Sequence, residues 1–364
     1  MRRGALAVLC AWLALFAATG VVAQQATDAR LGLPPLPAQT DGASNKALVE
    51  LGERLFSDTK LSADGKVSCA KCHVPDLAFT DRRPHSLGHE DRPGTRNAPT
   101  LLNVAFAGPL FWDGRAKDLE SQAVAPLTNS AEHAFDSPAA AVRAILQDAR
   151  YRRDFERALG ASGATITIEL IARALSAYER TLYSGGSRFD RYLYGHDPGA
   201  MNAQAVHGLE LFRHRAQCAS CHTIGESSAL LTDSDFHLSP LGIPADVNSR
   251  LSALTKQVMA ARDSGNQREV ERLIATDDQI AALGRFVVTA KPADIGKFKT
   301  PSLRNVALTA PYMHDGSVAT LEQAVDLELY ARGGALNYPI ALTADERRDI
   351  VEFLKALTGT IGGR

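Results

Sequence analysis

Beyond residue 23 the chain has no cysteine outside two five-residue segments, "CAKCH" at 69–73 and "CASCH" at 218–222. Of the five cysteines, Cys10 falls in the first 23 residues and the others are Cys69, Cys72, Cys218 and Cys221. An exported chain ordinarily uses cysteine for disulfides, and none is left here for that purpose. Tryptophan is nearly as scarce, with Trp112 the only one after Trp12. There is no block of basic residues and no basic–aromatic interleaving, which sets nucleic-acid binding aside. After the N-terminus no apolar run approaches the ~20 residues of a membrane span.

The N-terminus itself is patterned. Arg2 and Arg3 precede an apolar run from Ala5 to Phe16, and "VVA" stands before Gln24. Charged, hydrophobic and cleavage regions in that order read as a secretory signal peptide over 1–23. A membrane anchor is the alternative, and the shortness of the run argues against it. The mature chain is therefore expected to be soluble and periplasmic. Loss of Arg2 and Arg3 takes the formal charge from −1 to −3. The remaining ~340 residues suggest two domains, each able to bury its own core without disulfides.

Two thiols and an imidazole in five residues suit three chemistries. A zinc ribbon places its CxxC pairs ~15–20 residues apart, whereas residues 73–217 separate these. A thioredoxin-like redox pair needs a βαβ context and has no use for the histidine. Covalent haem c uses every residue: both thiols bond the porphyrin edge and the histidine binds iron. The expectation is two haems, one on Cys69, Cys72 and His73, the other on Cys218, Cys221 and His222.

The surroundings repeat as well. "ALVELGERLF" precedes the first motif and "QAVHGLELF" the second, both with apolar residues at helical spacing. Downstream, Pro99, Asn103, Asp113 and Gly114 match Pro301, Asn305, Asp315 and Gly316 at an offset of 202. The haem motifs are offset by only 149, so the second half holds 53 extra residues. These include a charged amphipathic stretch at 249–283 that reads as one or two helices, as a solvated insertion in preference to a partner surface. "TADERRDIVEFLKAL" opens with a capping box, Thr343 and Glu346, and "TITIELIARALSAYERTL" carries a similar apolar stripe. Strand signals are few. The expectation is a mainly α chain with domains at 24–200 and 201–364 and a glycine-rich linker around 184–203.

Together the two CxxCH domains, "NAPTLLN", "FWDGRAKDLESQ" and "KTPSLRNVALTAPYMHDG" resemble bacterial di-haem cytochrome c peroxidases and MauG-like enzymes. The resemblance spans nearly the whole mature chain except the 249–283 insertion. It implies two tandem cytochrome c-like haem domains, with peroxide chemistry at the N-terminal haem and electron transfer at the C-terminal one. Gln122 and Glu132 match the family's distal pair, and a peroxidatic site needs such a group to move a proton between oxygens. Ala324 stands opposite Gln122 in the second repeat, so the halves are unequal. His89, sixteen residues after His73, matches a removable distal ligand, and Trp112 matches a tryptophan between the haems that relays charge or packs the interface. Asn97, Thr309 and Pro311 match positions around a structural calcium ion, for which their oxygens are suitable.

The sequence departs from the family at the second haem. The sixth ligand there is Met in the peroxidases and Tyr in MauG-like enzymes, 14 residues after the histidine of the "PYxH" segment. From His314 that count reaches Glu328, while Tyr330 opens a MauG-like "YARGG" ending two residues later. Helical phase favours Glu328 and the local ending Tyr330, with Tyr330 the preferred reading. Met313 reads as pocket lining. An oxygen ligand lowers haem potential relative to Met. The leading function implied is peroxide reduction to water, with electrons from a small cytochrome c or cupredoxin. Peroxide-driven oxidation of Trp or Tyr on a partner protein is the alternative. A plain di-haem electron carrier is the third reading, and a homodimer the oligomeric state held open.

Overall fold

The computed structural model describes residues 28–36, 46–336 and 338–362. The proposed signal peptide lies outside them. The chain is mainly helical, and among the described residues its named strands form two short antiparallel pairs, Tyr183–Gly185 with Thr360–Gly362 and Phe236–Leu238 with Lys297–Lys299. Among the described residues no helix is long and apolar enough to cross a membrane.

The sequence repeat is a structural repeat. In the first half the Lys46–Ser57 helix crosses the Ile168–Glu179 helix; in the second, Ala203–Arg213 crosses Ala344–Ala356. Each crossing turns on a glycine. A Cβ on Gly52 would sit 1.9 Å from the Ala174 carbonyl oxygen, and one on Gly208 would sit 1.9 Å from that of Asp349. Any larger residue would force the helices apart. Aromatic pairs fill both crossings, Phe56 with Tyr178 at 5.2 Å and Phe212 with Phe353 at 5.0 Å between ring centroids. The expected capping box forms: Thr343 Oγ1 accepts from the Glu346 backbone N–H at 3.2 Å, and Glu346 Oε2 accepts from that of Thr343 at 2.8 Å.

The offset-202 match is equally close. Asn103 and Asn305 both adopt the left-handed conformation, φ 64° and 59°, and each leads into one turn of 3₁₀ helix, a backbone that asparagine tolerates better than most residues. Their side chains meet at Ser184. Asn103 bonds the Ser184 backbone in both directions, at 2.9 and 3.0 Å, while the Ser184 hydroxyl donates to Asn305 Oδ1 at 3.2 Å. The first residues of the expected 184–203 linker are thus tied to both halves. Phe189 packs against Phe353 in the second core, and Asp190 forms a buried bidentate pair with Arg304 at 2.8 and 2.9 Å. One apolar core gathers residues within 48–182 and another residues within 189–357.

The 249–283 insertion is not simply solvated. It folds into the helices Leu251–Asp263 and Gln267–Thr276 with flanking turns, over a core of its own that includes Leu254, Val258, Leu273 and Ile280. Its far edge docks on the first half. Thr95 Oγ1 donates to the Ile274 carbonyl at 2.7 Å, and Arg96 Nη2 to that of Ala281 at 2.8 Å. The helical periodicity was visible in the sequence, but its acceptors are main-chain carbonyls, which leave no side-chain signature.

Candidate active site

The two CxxCH segments are single turns that present their histidines alike. The His73 backbone N–H donates to the Cys69 carbonyl and the His222 N–H to that of Cys218. Nδ1 of each ring faces a main-chain carbonyl, Phe79 at 3.1 Å for His73 and Leu231 at 2.9 Å for His222. A carbonyl partner fixes the proton on Nδ1 and leaves Nε2 to bind iron. Burial lowers both imidazole pKa values, that of His222 to about 4, so each ring is neutral. All four thiols are unpaired. Burial pushes Cys72 up to about 11 and Cys218 to about 12, and raises Cys69 as well. Reactive CxxC pairs depend on the opposite shift. Protonated thiols beside a tautomer-fixed histidine fit haem c attachment.

Glu132 lies at the first motif. Its charge is felt by both Cys69 and Cys72. Burial raises its pKa, against the opposing pull of the Arg115 charge and a 2.6 Å hydrogen bond from Asn129 Nδ2 to Oε1. The residue is delivered by the turn after the Leu119–Thr128 helix, which carries Gln122. Pro126, one turn beyond Gln122, lacks the N–H that would bond the Gln122 carbonyl, so the helix loosens where the candidate pair sits.

His89 is brought to the same place. Its backbone N–H donates to the Glu132 carbonyl at 2.9 Å. Gly88 makes this possible, since a Cβ there would lie 2.0 Å from the Ala131 carbonyl oxygen. The His89 ring turns Nδ1 toward Asp64, 3.2 Å from Oδ2 but without hydrogen-bond alignment. Asp64 was not singled out in the sequence, and nothing local marks it.

Trp112 lies between the halves. Its indole N–H donates to the Asn97 carbonyl at 2.9 Å, and its own carbonyl accepts from the Lys299 backbone N–H at 2.8 Å. Beside it Asp113 is fully buried between Arg96 at 2.6 Å and Arg115 at 3.1 Å. Burial alone would raise the Asp113 pKa, but Arg115 and Arg96 outweigh it and hold the carboxyl at about 2. Replacing Asp113 by Ala strands two largely buried guanidinium groups. The expected cost is about 3–5 kcal/mol, read as lost unfolding free energy in urea. Because the folded pKa is depressed, the stabilisation from Asp113 is present above the ordinary carboxylate range and disappears as pH falls through about 2.

Asn97 also lies on this seam. Its backbone N–H donates to the His314 carbonyl at 2.9 Å and its side-chain amide to the Arg83 carbonyl at 2.8 Å. Thr309 follows the second 3₁₀ turn, and Pro311 is joined to Ala310 by a cis bond, as Pro109 is to Gly108.

At the second motif the structure does not turn Tyr330, the preferred sixth ligand, toward Cys218. The Tyr330 side chain is at the surface, 83% exposed. On the Leu321–Leu336 helix Leu321, Ala324, Val325 and Leu329 are buried apolar positions, and Glu328 follows Val325 by one turn. Burial raises the Glu328 pKa, opposed by Arg332, and its charge reaches Cys218. Arg332, unnoticed in the sequence, donates to Ser220 Oγ at 2.9 Å inside the motif itself. Glu328 thus lies on the face that helical phase favours, whereas Tyr330, favoured by the "YARGG" ending, lies on the exposed face.

Comparison with known proteins agrees with this geometry. Residues 46–198 match the model of a family described as di-haem cytochrome c peroxidase. The chain is 34% identical to cytochrome c551 peroxidase of Nitrosomonas europaea, over 95% of this chain and 88% of that one. It is also 34% identical to the methylamine utilization protein MauG of Methylorubrum extorquens, over 85% and 77%. A solved MauG-like protein associated with microbial copper homeostasis superposes with a TM-score of 0.69 at 31% identity, covering 90% of this chain and 95% of that one. The fold and these relatives define a di-haem peroxidase, an oxidoreductase. The chain belongs to the di-haem cytochrome c peroxidase family.

Proposed function

We propose that this protein is a periplasmic peroxidase that reduces hydrogen peroxide to water with electrons from a small cytochrome c or cupredoxin. The observation carrying this reading is the desolvated carboxyl of Glu132 beside the first CxxCH motif. The offset-matched partner of Gln122 in the second repeat is Ala324, which has no polar group. Haem held at each motif would supply redox-active iron, for electron exchange at both and for peroxide chemistry at the first. Cys69, Cys72 and His73 hold one haem, and Cys218, Cys221 and His222 the other. Glu132 takes the proton from one peroxide oxygen and returns it to the other, while Gln122 orients the substrate. Trp112, bonded to both halves, links the two sites. Steady-state peroxide reduction with a reduced cytochrome or cupredoxin tests the reading, and absence of turnover with either donor class would overturn it.

His89 is the resting ligand of the first iron in this proposal. Support comes from its backbone bond to Glu132 and from Asp64, which faces Nδ1, while Nε2 lies 3.9 Å from Glu90 Oε1. The oxidised holoenzyme is then expected to show little high-spin signal from the first haem in electron paramagnetic resonance. His89→Ala should convert it to a dominant high-spin signal; an identical high-spin signal in both proteins would contradict the gate. A calcium ion is proposed between the halves, on Asn97 and the carbonyls of Thr309 and Pro311. The Asn97 amide nitrogen is already committed to Arg83, which leaves Oδ1 as a hard donor.

A second reading is favoured by one observation. The Leu321–Leu336 helix contains no methionine, and Glu328 takes the inward place at the second motif. An oxygen donor there favours oxidised iron and suits oxidation of a Trp or Tyr side chain on a partner protein. Slow donor turnover together with a modified residue on an exported partner would favour it over simple peroxide reduction.

A further inference from the structure

The Ile168–Glu179 helix ends on a carboxyl that the mechanism above does not use. Glu179 is only 5% exposed, and its Oε2 has no hydrogen-bond partner. One turn earlier on the same face, Ser176 is fully buried and its Oγ is likewise unpartnered. Orphaned polar groups of this kind oppose folding and are rare in native interiors, so two at i and i+3 call for a function.

Their position suggests one. Among charged groups acting on the Cys69 thiol, Glu179 is the strongest, and Glu132 acts on the same sulfur. Two carboxyls are therefore within electrostatic reach of Cys69. The helix packs against Lys46–Ser57 and against Leu119–Thr128, the helix carrying Gln122. At its outer end Arg180 forms a bidentate pair with Glu120, at 2.7 and 2.9 Å. The charged groups acting on Glu179 are thus Arg180 at the end of its own helix and Glu120 on the packed helix.

The reaction has a requirement that Glu132 cannot meet alone. Reduction of one peroxide to two waters consumes two electrons and two protons. Glu132 can carry a proton from one oxygen to the other, but that supplies no net proton. The electrons come from the donor protein, and the protons must reach a desolvated site from outside.

We infer that Glu179, with Ser176, is the inner end of a proton path into the first haem site, closed at its outer end by the Glu120–Arg180 pair. Glu179 gives its carboxyl proton toward the substrate oxygens through the Ser176 hydroxyl and regains one from solvent past Arg180. Burial raises its pKa to about 8, with Arg180 lowering and Glu120 raising it, so the group holds a proton at neutral pH. This inference rests on the peroxidase reading above.

The test uses the holoenzyme and Glu179→Gln, which keeps size and polarity but cannot donate a proton in this way. Infrared difference spectra should show a protonated carboxyl in the wild type that titrates near pH 8 and is missing from E179Q. Peroxide turnover at neutral pH should fall on the order of 10–100-fold in E179Q, with cyanide binding to the first haem unchanged. The wild-type decline in rate above about pH 8 should also vanish. E179Q with native haem spectra, wild-type turnover and an unaltered pH profile would overturn the inference. Turnover lost together with cyanide binding would overturn it too, showing Glu179 to be a packing group. A wild type without peroxide turnover would instead bring down the functional reading itself.

Discussion

Glu132→Gln is expected to lower kcat/KM for peroxide by about 10²–10⁴ without loosening the fold. The substitution is nearly isosteric, and a glutamine oxygen can still accept from Asn129 Nδ2, the hydrogen bond that holds the Glu132 side chain among the described residues. What it removes is the capacity to take a proton. Because burial raises the Glu132 pKa, the wild-type rate should rise with pH through a value above the ordinary carboxylate range. Arg115 limits that rise by stabilising the anion, so Arg115→Gln should move the same limb to higher pH. Steady-state rates across pH for the three proteins, with unfolding curves as a control, provide the measurement. A Glu132→Gln enzyme that retains both the rate and the acid limb would remove Glu132 from the chemistry.

Much of this site was legible in the sequence because haem attachment is local. CxxCH needs one turn of chain, and a turn forms at both motifs, α-helical over Cys69–Cys72 and 3₁₀ over Cys218–Ser220. The repeat was legible for a related reason. Asn103 and Asn305, or Gly52 and Gly208, occupy positions where few other side chains fit, so their spacing records backbone geometry. The less legible features depend on contacts between distant segments. Asp64 reaches His89 across 25 residues, Arg332 reaches Ser220 across 112, and the insertion grips Thr95 and Arg96 through main-chain oxygens. Glu179 was hidden differently. Its helix was expected, but which polar residue on an amphipathic helix turns inward depends on the neighbouring helices, here Lys46–Ser57 and Leu119–Thr128.

Replacing Glu328 by Met should raise the reduction potential of the second haem by on the order of 100 mV, given how widely axial ligands tune haem iron. The physical reason is charge and softness. A carboxylate oxygen is a hard anion that stabilises the oxidised metal, whereas a thioether is neutral and favours the reduced one. Arg332 moderates the effect in the wild type by placing a cation beside Glu328, so Arg332→Gln should shift the potential downward, opposite to Glu328→Met. Tyr330→Phe supplies the control, because an exposed ring on the far side of the helix should leave potential and spectrum unchanged. Spectroelectrochemical titration of the four proteins separates these outcomes. If Tyr330→Phe moves the potential and Glu328→Met does not, the Leu321–Leu336 helix must turn its other face to the haem, and the carboxylate has no place in the coordination sphere. If Glu328→Met raises the potential and also speeds turnover with a cytochrome donor, the native oxygen ligand is what holds the enzyme back from simple peroxide reduction. That combination would favour side-chain oxidation as the native reaction, since an iron that resists reduction by the donor keeps its oxidising equivalents available to a slower partner.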